Sequence, residues 1–278
     1  MSGLTTGQIA SLSTAVIANL TSTQIDGLTS TQISALTSRQ ISALSSDNLA
    51  TFSTEQVVAL NSRAVAALSS AQVSALSSTQ VGVLTTSQLA VLTSSAVRGL
   101  GADDIDSLSS DKIAALASKS LAALSTDAFA SLDSTQLAAL TSAKVGTLTT
   151  TQIALLTSAQ ADGLTSTQLA GLTSAQMSAM SSDTLASLTT DQIAGLSSRV
   201  IGSLTSAKVA ALSSAQIEGL STLQLAALSS TAIRGLETAD VATFTSTELA
   251  ALNSRALAAL STDNIAILTS GQLTALSS

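Results

Sequence analysis

The chain has 278 residues, 45% of them hydrophobic and only 1% aromatic, a net charge of −7 and no histidine, cysteine, proline, tyrosine or tryptophan. Those absences exclude the commonest general base, thiol nucleophiles, disulfides and most transition-metal ligands. The acidic balance, with lysines and arginines scattered, excludes the cationic stripe that nucleic acid requires.

Reading from the start, Met1 to Leu12 has neither a basic head nor a long apolar run, so no classical signal peptide is expected. At Leu4 an eight-residue series begins that runs without insertion or deletion to Leu276. Phe52, Met180 and Phe244 are the only other residues in its 35 leucine places. Counting the unit from Met1, a typical copy is Ile153-Ala154-Leu155-Leu156-Thr157-Ser158-Ala159-Gln160. Such regularity means that a unit completes its core only against its neighbours. No linker or composition break interrupts the register, so a single repeat domain spanning 1–278 is expected. The mean hydropathy of +0.49 is high. Even so, Thr/Ser pairs interrupt the chain every octad, and no stretch nears the ~18–20 apolar residues of a membrane span.

The first full octads show how a unit folds. Thr21-Ser22-Thr23-Gln24 is a capping box: a hydroxyl at position 5 accepts from the backbone three residues on, and the glutamine at position 8 reaches back. Leu20 and Ile25 supply the flanking hydrophobic staple. Position 5 is Thr or Ser in most copies. Its exceptions, in chain order, are Asn61, Gly101, Ala117, Asp133, Glu237 and Asn253. Position 6 is also nearly always Ser or Thr and could cap instead, but only position 5 satisfies box and staple together.

Two other structures fit an octad less well. In a continuous α-helix eight residues give two turns plus ~80°, so the aliphatic stripe would wind around the axis. In a thin β-solenoid, positions 1 and 4 would face opposite sides of a strand, and glycine holds the position-3 corner in only 8 of 35 copies. The expected fold is therefore all-α: a solenoid of very short capped helices, one per octad, with the β-solenoid as the alternative. On a helical wheel positions 1, 4 and 8 cluster on one side, with 3 at the margin and 2, 6 and 7 opposite. Charges agree, falling mainly at 7 (Arg39, Asp47, Arg63, Arg255) and 2 (Asp26, Arg98, Glu218, Arg234). Ala161 is the clear lapse at position 1.

Candidate chemistry is sparse. Gly101-Ala102-Asp103-Asp104-Ile105-Asp106 is the densest acidic cluster and could coordinate calcium. However, it lacks EF-hand spacing, and negative charge at a helix start is favoured anyway. Serines sit at caps, which leaves little room for a Ser-Lys pair. Stacked Thr/Ser pairs would form hydroxyl ladders able to meet ice or glycans, although capping already explains them. Farther on, Val97-Arg98-Gly99-Leu100 recurs as Ile233-Arg234-Gly235-Leu236, seventeen octads later. At the far end the consensus continues to Leu276 with no atypical cap, which favours end-to-end assembly or membership of something larger. No catalytic, cofactor or metal residues are assigned, and no enzyme is expected.

The units Gln-Ile-Ser-Ala-Leu-Thr-Ser-Arg and Gln-Leu-Ala-Ala-Leu-Thr-Ser-Ala resemble Leu-Thr-x-x-Gln-rich octapeptide tracts of large proteobacterial secreted and surface proteins. That resemblance implies a bacterial extracellular or envelope setting. The expected role is a structural repeat protein that self-assembles into a fibre or surface layer, with itself as partner. The alternative is a binding module or adhesin stalk that meets a glycan or ice surface.

Overall fold

Each octad of the computed structural model, which describes residues 3–276, is one helix of four to six residues, from Thr6–Ser11 to Ser270–Ala275. One of them, Ala96–Gly99, is a 3-10 turn. No strand occurs among the described residues, which removes the β-solenoid alternative. Helix starts are local. At Thr21 the backbone is extended (φ −78°, ψ 156°), its hydroxyl accepts from the Gln24 N–H at 3.3 Å, and its own N–H donates to Gln24 Oε1 at 2.9 Å. Position 5, not position 6, is therefore the cap.

Helix ends are equally simple. The Leu12 N–H closes the last turn on the Ile9 carbonyl at 3.2 Å, and Leu12 and Ser13 are both extended. Two extended residues redirect the chain before the next cap starts a new helix. No described residue has a positive φ, so no left-handed glycine or asparagine is needed to end a helix. This is why no turn residue recurs at a fixed corner of the octad.

The chain divides into two compact units, Met1–Leu140 and Thr141–Ser278. In the first, helices pack on those three octads away, as Ser22–Asp26 does on Ser46–Ala50 and Ser30–Ser34 on Thr54–Ala59. Side-chain bonds reach slightly farther. Gln32, Gln56 and Gln72 donate to the carbonyls of Leu4, Leu28 and Leu44, each 28 residues earlier. A coil of this unit thus closes after about three and a half octads. The second unit is built alike: Gln176, Gln224 and Gln272 donate to the carbonyls of Leu148, Leu196 and Phe244, again 28 residues back.

Positions 1 and 4 fill each core. Ile33, Leu36, Ile193 and Leu196 are buried, and so is Ala161 despite its small size. Phe52, Met180 and Phe244 occupy leucine places in the same cores. Isolated helices this short are unstable, so burial between coils, at roughly 25 cal/mol per Å² of apolar surface, must hold them. Position 3 lies where backbones approach. A Cβ on Gly99 would stand 2.1 Å from the Ser70 carbonyl oxygen, and one on Gly235 the same distance from that of Ser206. Both halves of the long repeat therefore carry their glycine at an equivalent close contact.

Candidate functional site

The most repeated polar arrangement is the amide at position 8. Gln72 accepts the Ser69 N–H on Oε1 at 3.0 Å, and its Nε2 donates to the carbonyls of Ile41 at 2.7 Å and Leu44 at 2.9 Å. One side chain thus caps its own helix and satisfies carbonyls left open where a helix of the preceding coil ends. The capping half was legible in the sequence. The donating half was not, because its acceptor Leu44 lies 28 residues away.

Where glutamine is absent, other residues supply the donor. Asn48, Asn264, Ser120 and Thr184 bond the carbonyls of Leu20, Leu236, Leu92 and Leu156 at 2.6–3.1 Å. Lys208 Nζ donates to Met177 and Ser178 carbonyls at 2.7 and 2.6 Å, and Lys112 Nζ to that of Gly82. Burial pushes the Lys208 and Lys144 ammonium groups below the usual lysine range. The contacts of Lys208 are main-chain carbonyls, not serine hydroxyls, so its geometry is that of a coil joint and not a nucleophile–base pair.

Ala64 has no such donor, but Asn61 at the cap does. Asn61 Nδ2 reaches the Ser34 and Leu36 carbonyls at 2.9 and 3.1 Å while its Oδ1 caps the Ala64 N–H at 3.0 Å. Asn253 with Ala256 repeats the device in the second unit, with Nδ2 on the Ala226 carbonyl at 3.3 Å.

The acidic cluster divides by exposure. Asp104 is 8% exposed at a position-8 slot, and its Oδ2 accepts the Gly101 N–H at 2.8 Å, while Asp103 and Asp106 face solvent. Burial raises the Asp104 pKa, and the like charge of Asp103 adds to it. Among the described residues no group of three or more carboxylates is placed to hold a metal ion. Asp240 fills the same slot in the second unit, where it accepts from the Glu237 N–H and the Ser214 hydroxyl, both at 2.8 Å. Glu237 makes no side-chain cap bond, and neither does Ala117.

The Thr/Ser hydroxyls at position 5 are mostly engaged as caps, as at Thr29, Ser77, Thr189 and Ser213. Among the described residues no helix is long and apolar enough to cross a membrane. A concave feature lies in the first unit, a groove of about 890 Å³ walled by three stretches: 10–14, 35–40 and 61–63. Arg39 and Arg63 are the charged residues on its lining.

Comparison with known families matches the ALTTAQ repeat at residues 1–38, 54–86, 83–118, 113–150, 190–222 and 241–278, together well over half of the chain. No curated protein matches it.

Proposed function

Since the chain belongs to the ALTTAQ repeat family, we propose that it is a non-enzymatic structural protein that assembles with copies of itself into a bacterial extracellular fibre or surface layer. The observation that carries this reading is the self-similarity of the coil edges. Coil joints in both units set side-chain donors on main-chain carbonyls with the same 28-residue register. A coil edge presenting donors therefore matches any coil edge presenting carbonyls, in the same chain or another. Contacts of this head-to-tail kind propagate into filaments. The coil joints absorb the polar groups, which leaves little with which to build a catalytic centre.

Negative-stain electron microscopy of the purified chain over a concentration series tests the proposal. Filaments or sheets whose number grows with concentration are expected. A strictly monomeric species at the highest concentration, by analytical ultracentrifugation, defeats it. A second reading, a binding module or stalk, draws support from the groove of the first unit. Glycan-array or ice-recrystallisation activity from a monomer would favour that reading.

A further inference from the structure

The geometry points to a ligand site in the first unit: the groove between Arg39 and Arg63 binds a carboxylate-bearing polysaccharide chain, with each guanidinium taking one carboxylate. Both arginines are exposed, and among the described residues neither guanidinium has a hydrogen-bond or ion-pair partner. They put two positive charges on a groove that no acidic residue lines, in a chain of net charge −7. The guanidinium fork matches a carboxylate with two parallel bonds. The rest of the lining is hydroxyl-rich, with Thr14, Thr37, Ser38 and Ser62, and includes Leu12. Thr14 and Ser62 offer donors and acceptors to sugar hydroxyls, while Thr37 and Ser38 already donate to Gln40 Oε1 and the Arg63 carbonyl. No aromatic ring lines it, so a neutral sugar finds no stacking platform and affinity must come from charge.

The walls are fixed from behind. The Ser38 hydroxyl donates to the Arg63 carbonyl at 3.0 Å, and Asn61 Nδ2 holds the Leu36 carbonyl at 3.1 Å. The arginine backbones are therefore anchored while their side chains remain available to a ligand.

The second unit supplies an internal control. A shift of seventeen octads sets Leu148, Thr150, Thr173, Ser174 and Arg199 against Leu12, Thr14, Thr37, Ser38 and Arg63. Even the wall bond recurs, with the Ser174 hydroxyl donating to the Arg199 carbonyl at 3.3 Å. Four substitutions separate the two linings: Ala10, Ala35, Arg39 and Asn61 correspond to Gly146, Gly171, Ala175 and Ser197. A Cβ on Gly146 would lie 2.9 Å from the Gly171 carbonyl oxygen, and one on Gly171 2.8 Å from that of Ser142. Backbones thus approach closely in the second unit at the positions where the first carries the methyls of Ala10 and Ala35. The first unit has the paired charge, and the second, with Ala175 in place of Arg39, has one guanidinium only.

Isothermal titration of the full chain tests this with an oligogalacturonate, its fully methyl-esterified form and a glutamate oligomer of equal charge. The free-acid oligosaccharide is expected to bind at a single site, less tightly as salt is raised. Arg39→Ala and Arg63→Ala should each weaken it roughly tenfold, with circular dichroism unchanged because both side chains are exposed. Unchanged affinity in both arginine variants, or equal binding of the methyl ester, overturns the assignment. Binding of the glutamate oligomer alone also overturns it and gives the groove to an acidic peptide. The assignment does not depend on self-assembly, since a monomer suffices for every titration.

Discussion

Two neighbouring octads of the first unit are joined to the coil beneath them by different atoms. In Ser69–Gln72 the donor is the amide at the third helical position, bonded to Ile41 and Leu44 carbonyls. In Asn61–Ala64 the third position is alanine, and the amide has moved to the cap, from which it reaches Ser34 and Leu36. Both octads keep one acceptor for their own helix start and one donor for the coil below. What the fold requires is therefore a donor near the carbonyls exposed where helices end, not glutamine as such. The requirement has a simple source, because a buried carbonyl without a partner costs about 1–3 kcal/mol.

Gln72→Glu should break the comparison most severely. The carboxylate can still accept the Ser69 N–H, but it cannot donate, and it sets negative charge against two carbonyls. A loss of about 3 kcal/mol in urea unfolding at pH 7 is expected, and the loss should shrink in acid as the side chain gains a proton. An effect below about 0.5 kcal/mol, the range of ordinary surface substitutions, would mean the coil joint contributes little.

Gly99→Ala probes a joint with neither kind of donor. Ala96 holds the third position there and Thr93 caps only its own helix, so coils meet backbone to backbone. The added methyl has no room beside Ser70, and a loss of about 2–3 kcal/mol is expected, the upper range for overpacking. Gly235→Ala should match it. If only one of the two is tolerated, the two halves of the long repeat are not packed alike.

Asn61→Ser sharpens the comparison directly, since it keeps the cap and removes the donor. It should cost about 1–2 kcal/mol, and adding Ala64→Gln should restore most of that. The double-mutant cycle should show coupling of about 1 kcal/mol between the two sites. Additive effects would separate the cap from the joint.

Asp104→Gln should have the smallest effect and the opposite sign. The native carboxylate caps Gly101 but cannot donate to the coil below, and burial raises its pKa above the ordinary 3.8. A raised carboxyl pKa stabilises through the protonated form. Its contribution is present below the unfolded value and is lost as pH rises through the folded one. The parent chain should therefore lose stability through this group as pH rises above about 4. The glutamine variant should be about 1 kcal/mol more stable at pH 7 and flatter with pH. A steeper profile in the variant would contradict the slot assignment.

Much of the local structure was legible because capping is local. The hydroxyl at Thr21 and the amide at Gln24 meet three residues apart, whatever the rest of the chain does. The burial of positions 1, 4 and 8 likewise follows from helical periodicity, and even Ala161 kept its place inside. The candidate site was less legible. The arginines of the groove appeared as two of several solvent-facing charges. Nothing local distinguishes Arg39 and Arg63 from Arg199 until the fold sets the two first-unit arginines on one groove.

By itself, the amino-acid order determined where each helix starts and which residues it buries, since both are settled within a few consecutive positions. Only the tertiary structure decided that a coil closes after about three and a half octads and that the Gln72 amide serves two helices at once. The physical reason is that two extended residues between helices set a direction that cap chemistry leaves free. Side-chain packing fixes that direction, and with it which carbonyls of the preceding coil each amide meets.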